Sequence, residues 1–539
     1  MTRRSSNRDD DGDDNDDALL GNGISEEYPL LGDTDTDAAT GDITSKDLAT
    51  EKERARLRPR VVVMALVCIF LAELAINVAV PAMNAVIESI ICDQLHPGFA
   101  AGIGVEAPPD SVCKSEDVQS YLVMVRGWMQ TFESVPTIVC SIPYGIMADR
   151  WGRRLVLLLS ALGLNLYLVF TYGVFLASNI VPIWTILFGN VFMFIGGGGM
   201  VAAAMLYTML SDVVSVDDRA TVFFQFGAAF LTAQTISAPL SGFLMLYSIW
   251  LPLLVSWVLM TFTNLLAFMF PETVQLHSEA RDTQRRSNGR MRGGNSDSSS
   301  EDDVEAENAT PSAFQEFKSK AHEGLMDAWE FVMGNMKIAG LMLSLVFVVL
   351  GKLAQELLLQ YATKRYHWTW SEAAFLMTIS GVTSMVTLIV LLPAASWYFA
   401  KYLGLSGVIK DLWLIRIVGS CLIFGCLVIA VAPTGLVLAF GLVPYALGSG
   451  LSPLIRSVLS ALVEEHHIAI LNTLIGITES LGVVVASPLL AMSLSLGLKL
   501  GGGWIGLPFL FAAIFATIVT VIAWTFRPPR GDGRSSAEP

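Results

Sequence analysis

The chain has 539 residues, of which 53% are hydrophobic and only 15% are charged, and its mean hydropathy is +0.56. A soluble globule of this length needs more polar side chains to cover its surface, so the composition excludes an ordinary soluble protein and predicts a membrane protein. The formal net charge of −15 comes mainly from acids outside the apolar stretches. It therefore gives no indication of nucleic-acid binding.

Residues 1–59 form a polar segment rich in Asp, Ser, Gly and Thr. Large apolar side chains are too few there to offset the entropy of ordering, so we predict a disordered acidic tail. Within it, Glu26, Leu30 and Leu31 have the acidic-x-x-x-Leu-Leu form of eukaryotic sorting signals. Such a signal would bind a sorting adaptor and direct the protein to a vacuolar or endosomal membrane; the plasma membrane is the alternative.

Apolar stretches of about 20 residues or more recur along the remaining chain, and each is long enough to cross a hydrocarbon core of about 30 Å as a helix. About twelve are present, six in residues 60–271 and six in residues 336–527. Their predicted starts are Val61, Gln119, Leu155, Pro182, Arg219, Leu251, Lys337, Ser371, Leu412, Gly435, Ile468 and Trp504. The predicted fold is an all-α membrane protein of twelve transmembrane helices in two six-helix halves.

Ionisable residues inside spans one and two are candidate functional groups. Placing a charge in hydrocarbon costs a few kcal/mol on insertion scales, so such residues usually face a cavity or a partner. Glu73 and Glu133 lie near the middle of these spans, and Arg126 precedes Glu133 by two helical turns on the same face. We predict that all three line one cavity, with Glu73 or Glu133 as proton carrier and Arg126 as counter-charge. The sequence offers Glu73 no obvious local partner.

The loop after span one, about residues 89–117, is acidic and has Lys114 as its single basic residue. Cys92 and Cys113 fall in this loop, whereas the other four cysteines fall inside spans. An oxidising compartment permits a disulfide between them. A disulfide that closes the loop and two free thiols are the alternatives.

A cationic turn follows span two and has the form G-x-x-x-D-R-x-G-R-R. Its residues are Gly145, Asp149, Arg150, Gly152, Arg153 and Arg154. A dense cationic cluster at the end of an apolar segment stays in water on the cytosolic face, so it indicates topology. The pattern also resembles the signature of the major facilitator superfamily.

This resemblance implies two bundled halves with a substrate site between them near the membrane midplane, where rocking of the halves alternates access. It further implies that Asp149, Arg150, Arg153 and Arg154 form a cytosolic charge network that ties the halves together when the inner gate is shut. The expected partners are Asp212 and Arg219, which bracket the next cytosolic turn. The alternative is that these cations only set the topology.

Spans four and ten contain similar motifs in the same order. Residues 188–214 contain F-G, then I-G-G-G-G, then L-S-D-V-V, and residues 440–463 contain F-G, then L-G-S-G, then L-S-A-L-V. The matched order favours an internal duplication, and the glycine runs let helix backbones approach closely.

Two further polar segments complete the topology. Residues 272–335 read as a flexible cytosolic loop between the halves, and residues 528–539 as a short cytosolic tail. Lys and Arg clusters lie before span one, in the cationic turn, in this loop and in the tail, all on one side of a twelve-span count. Both termini are therefore predicted to be cytosolic.

The second half has its own candidate groups. Lys352 and Glu356 are an i, i+4 pair in span seven, and Glu479 lies midway along span eleven. All three are candidate cavity groups, although the first two would also suit an intrahelical ion pair. Arg456 lies in the cytosolic half of span ten, where an inner-gate latch, an anion contact and snorkelling to the interface are the alternatives.

The second half departs from the family pattern, because no copy of the signature follows span eight. Instead it contains R-Y-H-W at 365–368, L-L-P at 391–393, K-D-L-W at 410–413 and A-L-G-S-G-L-S-P at 446–453. These segments are similar to fungal facilitators of largely unassigned substrate, which are distantly similar to the proton-coupled folate transporter and tetracycline-exporter branches. Trp128, Trp368, Trp370 and Trp504 are expected to be interface anchors.

Together these features predict a secondary active transporter of a small organic solute, proton-coupled and working by alternating access. The alternative is a facilitator-fold sensor that binds a ligand without translocating it. No phosphate-cradling G-x-x-x-x-G-K-[ST] loop or metal-ligand spacing is present, so we expect no enzyme activity, no metal and no cofactor. The expected partners are the solute, protons and the lipid bilayer, and the expected state is a monomer.

Overall fold

The structure is a computed structural model that describes residues 37–97, 112–214, 216–272, 336–405, 407–462 and 468–526. The chain divides into two compact units, Met1–Glu51 and Lys52–Pro539. The helices discussed below belong to the second unit, apart from the first residues of α1, which belong to the first.

Twelve helical segments, α1 to α12, follow one another in the described part of the chain. Their bounds are α1 Asp37–Leu95, α2 Glu116–Trp151, α3 Arg153–Leu176, α4 Ile183–Val213, α5 Val216–Met245, α6 Trp250–Phe268, α7 Ala339–Tyr366, α8 Trp370–Tyr402, α9 Gly407–Val431, α10 Gly435–Leu462, α11 Ile468–Leu500 and α12 Gly502–Thr525. A short 3-10 helix, Val112–Lys114, precedes α2.

Eleven of the described helices are long and apolar enough to cross a membrane. The remaining one, α2, has 36 residues, about 54 Å at 1.5 Å per residue, so its length also exceeds the hydrocarbon core. Arg126 and Glu133 lie within its length and reduce its apolar character. The predicted all-α membrane fold of two six-helix halves is confirmed.

Several helices change their hydrogen-bonding pattern within the span. The change is sharpest in α4, where a 3-10 helix over Ile183–Phe194 turns at Gly196, Gly197 and Gly198 with φ of 90°, 80° and 76°. Only glycine adopts such angles readily, and a Cβ on Gly196 would lie 2.1 Å from the Ser160 backbone nitrogen. The glycine run therefore lets α4 bend while it packs directly on α3.

The N-terminal segment differs from the sequence-based prediction. Because α1 begins at Asp37, residues 37–59 are helical, whereas we predicted a disordered tail. Ala, Leu, Glu, Lys and Arg are frequent between 46 and 58, and such residues extend an existing helix at little cost. Residues 1–36 and the polar segments at 273–335 and 527–539 lie outside the described residues.

The bundle has two ends, which we name from their features. The signature side carries Gly145–Arg154, and the disulfide side carries Cys92 and Cys113. The two halves pack mainly through α2 against α11 and through α5 against α8. These two helix pairs flank the space between the halves and so position the candidate site.

Candidate functional site

A buried polar network closes the disulfide side of the bundle. Glu88 of α1 is 1% exposed and accepts hydrogen bonds from Lys114 Nζ at 2.9 Å, from Gln119 Nε2 and from Trp370 Nε1 at 2.8 Å. Lys114 also lies over the Trp370 ring, 4.9 Å from its centroid. A carboxylate that is removed from water must accept hydrogen bonds from several donors. Glu88, which accepts from three side chains, therefore lies at the centre of the network.

The network joins the two halves, because Trp370 begins α8 whereas Glu88 belongs to α1. Further hydrogen bonds cross the same level: Gln360 Nε2 donates to the Gln119 backbone oxygen at 2.7 Å, and Ser371 Oγ donates to the Gly242 oxygen at 2.8 Å. Lys364 Nζ donates to the Lys114 oxygen. We call this set of contacts the outer seal.

A disulfide joins Cys92 at the end of α1 to Cys113 in the short 3-10 helix. Lys114 follows Cys113 directly, and Gln119 Nε2 also donates to the Cys113 oxygen at 3.3 Å. The cross-link therefore holds Lys114 and Gln119 close to Glu88. Of the two alternatives left open by the sequence, the structure contains the disulfide.

The predicted cavity groups of the first half lie together between the halves. Asn77 Nδ2 donates to Glu73 Oε2 at 3.1 Å, so Glu73 does have a local partner, contrary to our expectation. Glu133 interacts electrostatically with Arg126 on its own helix, with Glu73 of α1 and with Glu356 of α7. The Glu133 side chain nevertheless has free surface, and charged groups from both halves lie around it, so these residues line a crevice between the halves.

A small cavity lies at the head of this crevice and is shared by both halves. Its volume is about 30 Å³, enough for about two water molecules. Arg126 and Gln130 line it from α2, and Glu356 and Gln360 line it from α7. Gln360 also belongs to the outer seal, so the cavity lies directly beneath that seal.

The predicted groups of the second half form a separate cluster. Arg456 Nη2 of α10 lies 2.5 Å from Glu479 Oε2 of α11, and Ser452 Oγ donates to the other Glu479 oxygen at 2.9 Å. Lys352 of α7 interacts electrostatically with both charged residues. We call Lys352, Ser452, Arg456 and Glu479 the second-half cluster.

Lys352 and Glu356 do not form an ion pair with each other in the described structure, although their spacing suggested one. A 3-10 turn, Ala354–Leu357, interrupts the helix between them. A 3-10 helix rotates about 120° per residue rather than 100°, which turns Glu356 away from Lys352. Lys352 consequently faces Arg456 and Glu479, whereas Glu356 faces Arg126.

The signature is held within the first half by its described contacts. The Arg153 side chain is paired with Asp212 of α4, both almost fully buried, and donates to the Thr208 oxygen at 3.1 Å. Arg154 Nη2 donates to the Phe268 oxygen of α6 at 2.5 Å. Asp212 is thus the partner that we expected for the signature. It belongs to the first half, however, whereas the resemblance implied that the signature ties the two halves together.

Glu272, four residues beyond the end of α6, also contacts the signature. Its Oε1 accepts a hydrogen bond from the Arg153 backbone nitrogen at 3.1 Å. Its other oxygen would lie 2.4 Å from a Cβ on Gly152, whose φ is 112°. Gly152 is therefore required both by its backbone angle and by the approach of this carboxylate.

Replacing Gly152 by Ala is expected to destabilise the protein by about 1 to 3 kcal/mol, because an L-residue is strained at this φ and Glu272 must move away. Thermal unfolding of the purified protein in nanodiscs measures the effect. Gly145→Ala is the matched control, since Gly145 lies in a helix with open space around a Cβ. Equal melting temperatures for the two variants would contradict the assignment.

The other predicted gate and signal residues lie apart from these contacts or outside the described part of the chain. Arg150 is exposed, and Arg456 pairs with Glu479 in its own half rather than with the signature. The side chains of Asp149 and Arg219 lie outside the described residues, as do Glu26, Leu30 and Leu31. Among the residues that the structure describes, no group of three His, Cys, Asp or Glu side chains is arranged to hold a metal ion.

Sequence reasoning missed the residues of the outer seal and Glu272. It also predicted that Trp370 anchors the membrane interface, whereas the side chain is fully buried and donates to Glu88. The sequence did contain an indication for Lys114, because a single cation in an acidic loop is expected to form an ion pair. Nothing in the sequence linked Glu88 to Trp370.

Comparison with known proteins agrees with this architecture. The Major Facilitator Superfamily model matches residues 62–487. The efflux pump ustT of Aspergillus flavus is 30% identical over 449 residues, covering 82% of this chain and 83% of that protein. The MFS efflux pump atnC of Emericella nidulans is 28% identical over 432 residues, covering 79% of each.

Among solved structures, the nucleoside transporter NupG has a TM-score of 0.57 at 12% identity, covering 87% of this chain and 100% of NupG. At this identity the likeness shows the fold alone. The family match extends from α1 into α11, and the similar proteins are transporters rather than enzymes. The chain therefore belongs to the major facilitator superfamily, and it is a multi-pass integral membrane transport protein.

Proposed function

We propose that this protein is a proton-coupled secondary transporter that exports a small organic solute by alternating access. The observation that carries the proposal is the exposed Glu133 in the crevice between the halves, with Glu73, Arg126 and Glu356 around it. The fungal relatives named as efflux pumps support export rather than uptake.

We assign the signature side to the cytosol, because its cations, including Arg58, Arg60 and Arg154, would otherwise have to cross the membrane. Both termini are then cytosolic. The outer seal closes the opposite side, so the crevice takes its solute from the cytosol in this conformation. Export requires the seal to open while the signature ends of the halves come together.

The proposed proton step uses Glu133 and Arg126. A carboxylate in contact with water and a cation is ionised, whereas one enclosed in an apolar surrounding holds a proton. Facing the cytosol, Glu133 gives its proton to crevice water and Arg126 stabilises the carboxylate left behind. After the solute has left on the far side, a proton from that side binds Glu133 and the halves return.

The cavity beneath the outer seal determines from which side of the membrane Glu133 can take up its proton. Arg126 and Glu356 both line the cavity beneath the outer seal, and Glu133 interacts with each of them. Opening the seal would admit water to this cavity, so Glu133 would gain access to the far side only when the cytosolic entrance closes. The same movement of the two halves therefore transfers both the solute and the proton.

Inside-out vesicles from yeast that express the full chain test the proposal. A panel of small organic solutes is offered with an acidic vesicle interior, and empty-vector vesicles are the control. We expect at least one solute to accumulate inside, and nigericin, which collapses the pH gradient, to abolish the accumulation. Accumulation that persists with nigericin would contradict proton coupling, and binding without accumulation would indicate the ligand sensor.

A further inference from the structure

The second-half cluster contains more positive than negative charge. It has two cations, Lys352 and Arg456, and one carboxylate, Glu479. Both oxygens of Glu479 are already engaged, one by Arg456 Nη2 and the other by Ser452 Oγ. Glu479 can therefore offset only one of the two cations.

Lys352 is the cation left over. The side chain is exposed, and no carboxylate in the described ranges lies within 4 Å of its amine. Glu356, one turn further along α7, is directed to the cavity with Arg126. An unpaired charge within a membrane span costs a few kcal/mol, so an unpaired lysine facing a crevice suggests a partner that arrives from elsewhere.

Arg456 adds further donors to the same place. Its side chain is 43% exposed even though it pairs with Glu479. Its Nε is buried and has no hydrogen-bond partner among the described residues. A guanidinium next to an ammonium group is the combination that binds oxyanions such as carboxylates, because each supplies charge-assisted hydrogen bonds.

The part of the crevice next to α1 and α2 has the opposite charge. Glu73 and Glu133 lie there with Arg126, and Glu356 of α7 also interacts with Glu133. Among the described residues three carboxylates thus surround one cation, so an anionic group is disfavoured there. The geometry points to a solute that carries an oxyanion, and we propose that the transported molecule is a small organic acid whose carboxylate binds between Lys352 and Arg456. This inference rests on the proposed function, since it names the class of solute that occupies the crevice.

The bound solute lies with its acid group against α7 and α10 and its remaining part towards α2. Lys352 is a substrate-binding residue, and Glu479 is a positioning residue that holds the Arg456 guanidinium. An inner-gate latch formed by Arg456 and Glu479 would not need Lys352 and would not distinguish an acid from its amide. The two roles can therefore be separated by a binding measurement.

Three probes with the same ring and different charge supply that measurement: 1-naphthoate, 1-naphthamide and 1-naphthylmethylamine. Binding to the purified full chain in nanodiscs is measured by calorimetry at neutral pH without a proton gradient. We expect the wild-type protein to bind 1-naphthoate at least about tenfold more tightly than the other two, as a charge-assisted hydrogen bond implies.

Substitutions of Lys352 test whether this residue causes the preference for the acid. Lys352→Gln is expected to remove the preference for the acid, and Lys352→Arg, which keeps the charge, is expected to retain most of it. Lys499→Gln is the control, because Lys499 is exposed on the disulfide side. The proposal is overturned if acid and amide bind equally, if the acid does not bind, or if the preference survives in Lys352→Gln. Because no gradient is used, failure of proton coupling leaves this result unaffected.

Discussion

Transport driven by a pH gradient is expected to fall by about 100-fold or more in the Glu133→Gln variant, the range seen when a proton-transferring group is lost. Glutamine has nearly the same shape but cannot release a proton. Solute exchange without net proton movement should persist, because the crevice itself is unchanged. Proteoliposomes containing a solute accumulated by the vesicles measure both processes, with and without the gradient.

Two comparison variants make this result specific. Asp117→Asn removes one exposed acid from the first turn of the same helix and should leave gradient-driven transport intact. Glu73→Gln should have the smaller effect of the two crevice variants, because Asn77 already donates to Glu73 and, within the described part of the chain, no cation forms an ion pair with it. Wild-type gradient-driven transport in Glu133→Gln would refute the assignment of the proton carrier.

The Glu88→Gln variant is expected to open the disulfide side. In the closed seal this substitution leaves the Lys114 ammonium buried without its carboxylate, and removing one partner of a buried ion pair costs about 3 to 5 kcal/mol. The open conformation exposes Lys114 to water and avoids most of that cost. The balance between conformations should therefore shift by about two orders of magnitude or more.

Hydrogen–deuterium exchange of the protein in nanodiscs detects the opening. Peptides around Gln119 and Gln360 should exchange faster in Glu88→Gln than in the wild-type protein. Trp370→Phe, which removes the indole donor to Glu88 but keeps an aromatic ring, should shift exchange in the same direction by a smaller amount. Trp504→Phe changes an exposed tryptophan and is the matched control; unchanged exchange in both seal variants would show that Glu88 does not hold the seal.

The spans and the family could be predicted from the sequence because the bilayer imposes strong local constraints. Predicted starts at Gly435 and Ile468 coincide with those of α10 and α11, and Pro182 lies one residue before α4. The start of α9 at Gly407 was missed by five residues, since polar residues precede its apolar run. Boundaries are sharp where hydropathy changes sharply.

The polar groups of the crevice were also identifiable one by one. Glu73, Arg126, Glu133, Lys352 and Glu479 are ionisable residues in apolar runs, and such residues rarely face lipid. The sequence did not show which of these residues lie together in the folded protein. The sequence suggested Lys352 with Glu356, whereas a 3-10 turn directs the first to Glu479 and Arg456 and the second to Arg126.

By itself, the sequence determined that the protein spans a membrane, where its helices lie and which charges enter the hydrocarbon. Only the tertiary structure decided which of these charges meet. Glu88 and Trp370 are 282 residues apart in the chain, and their contact depends on how the two halves pack together. Helical periodicity specifies the face on which a side chain lies, but it carries no information about which distant helix will pack against that face.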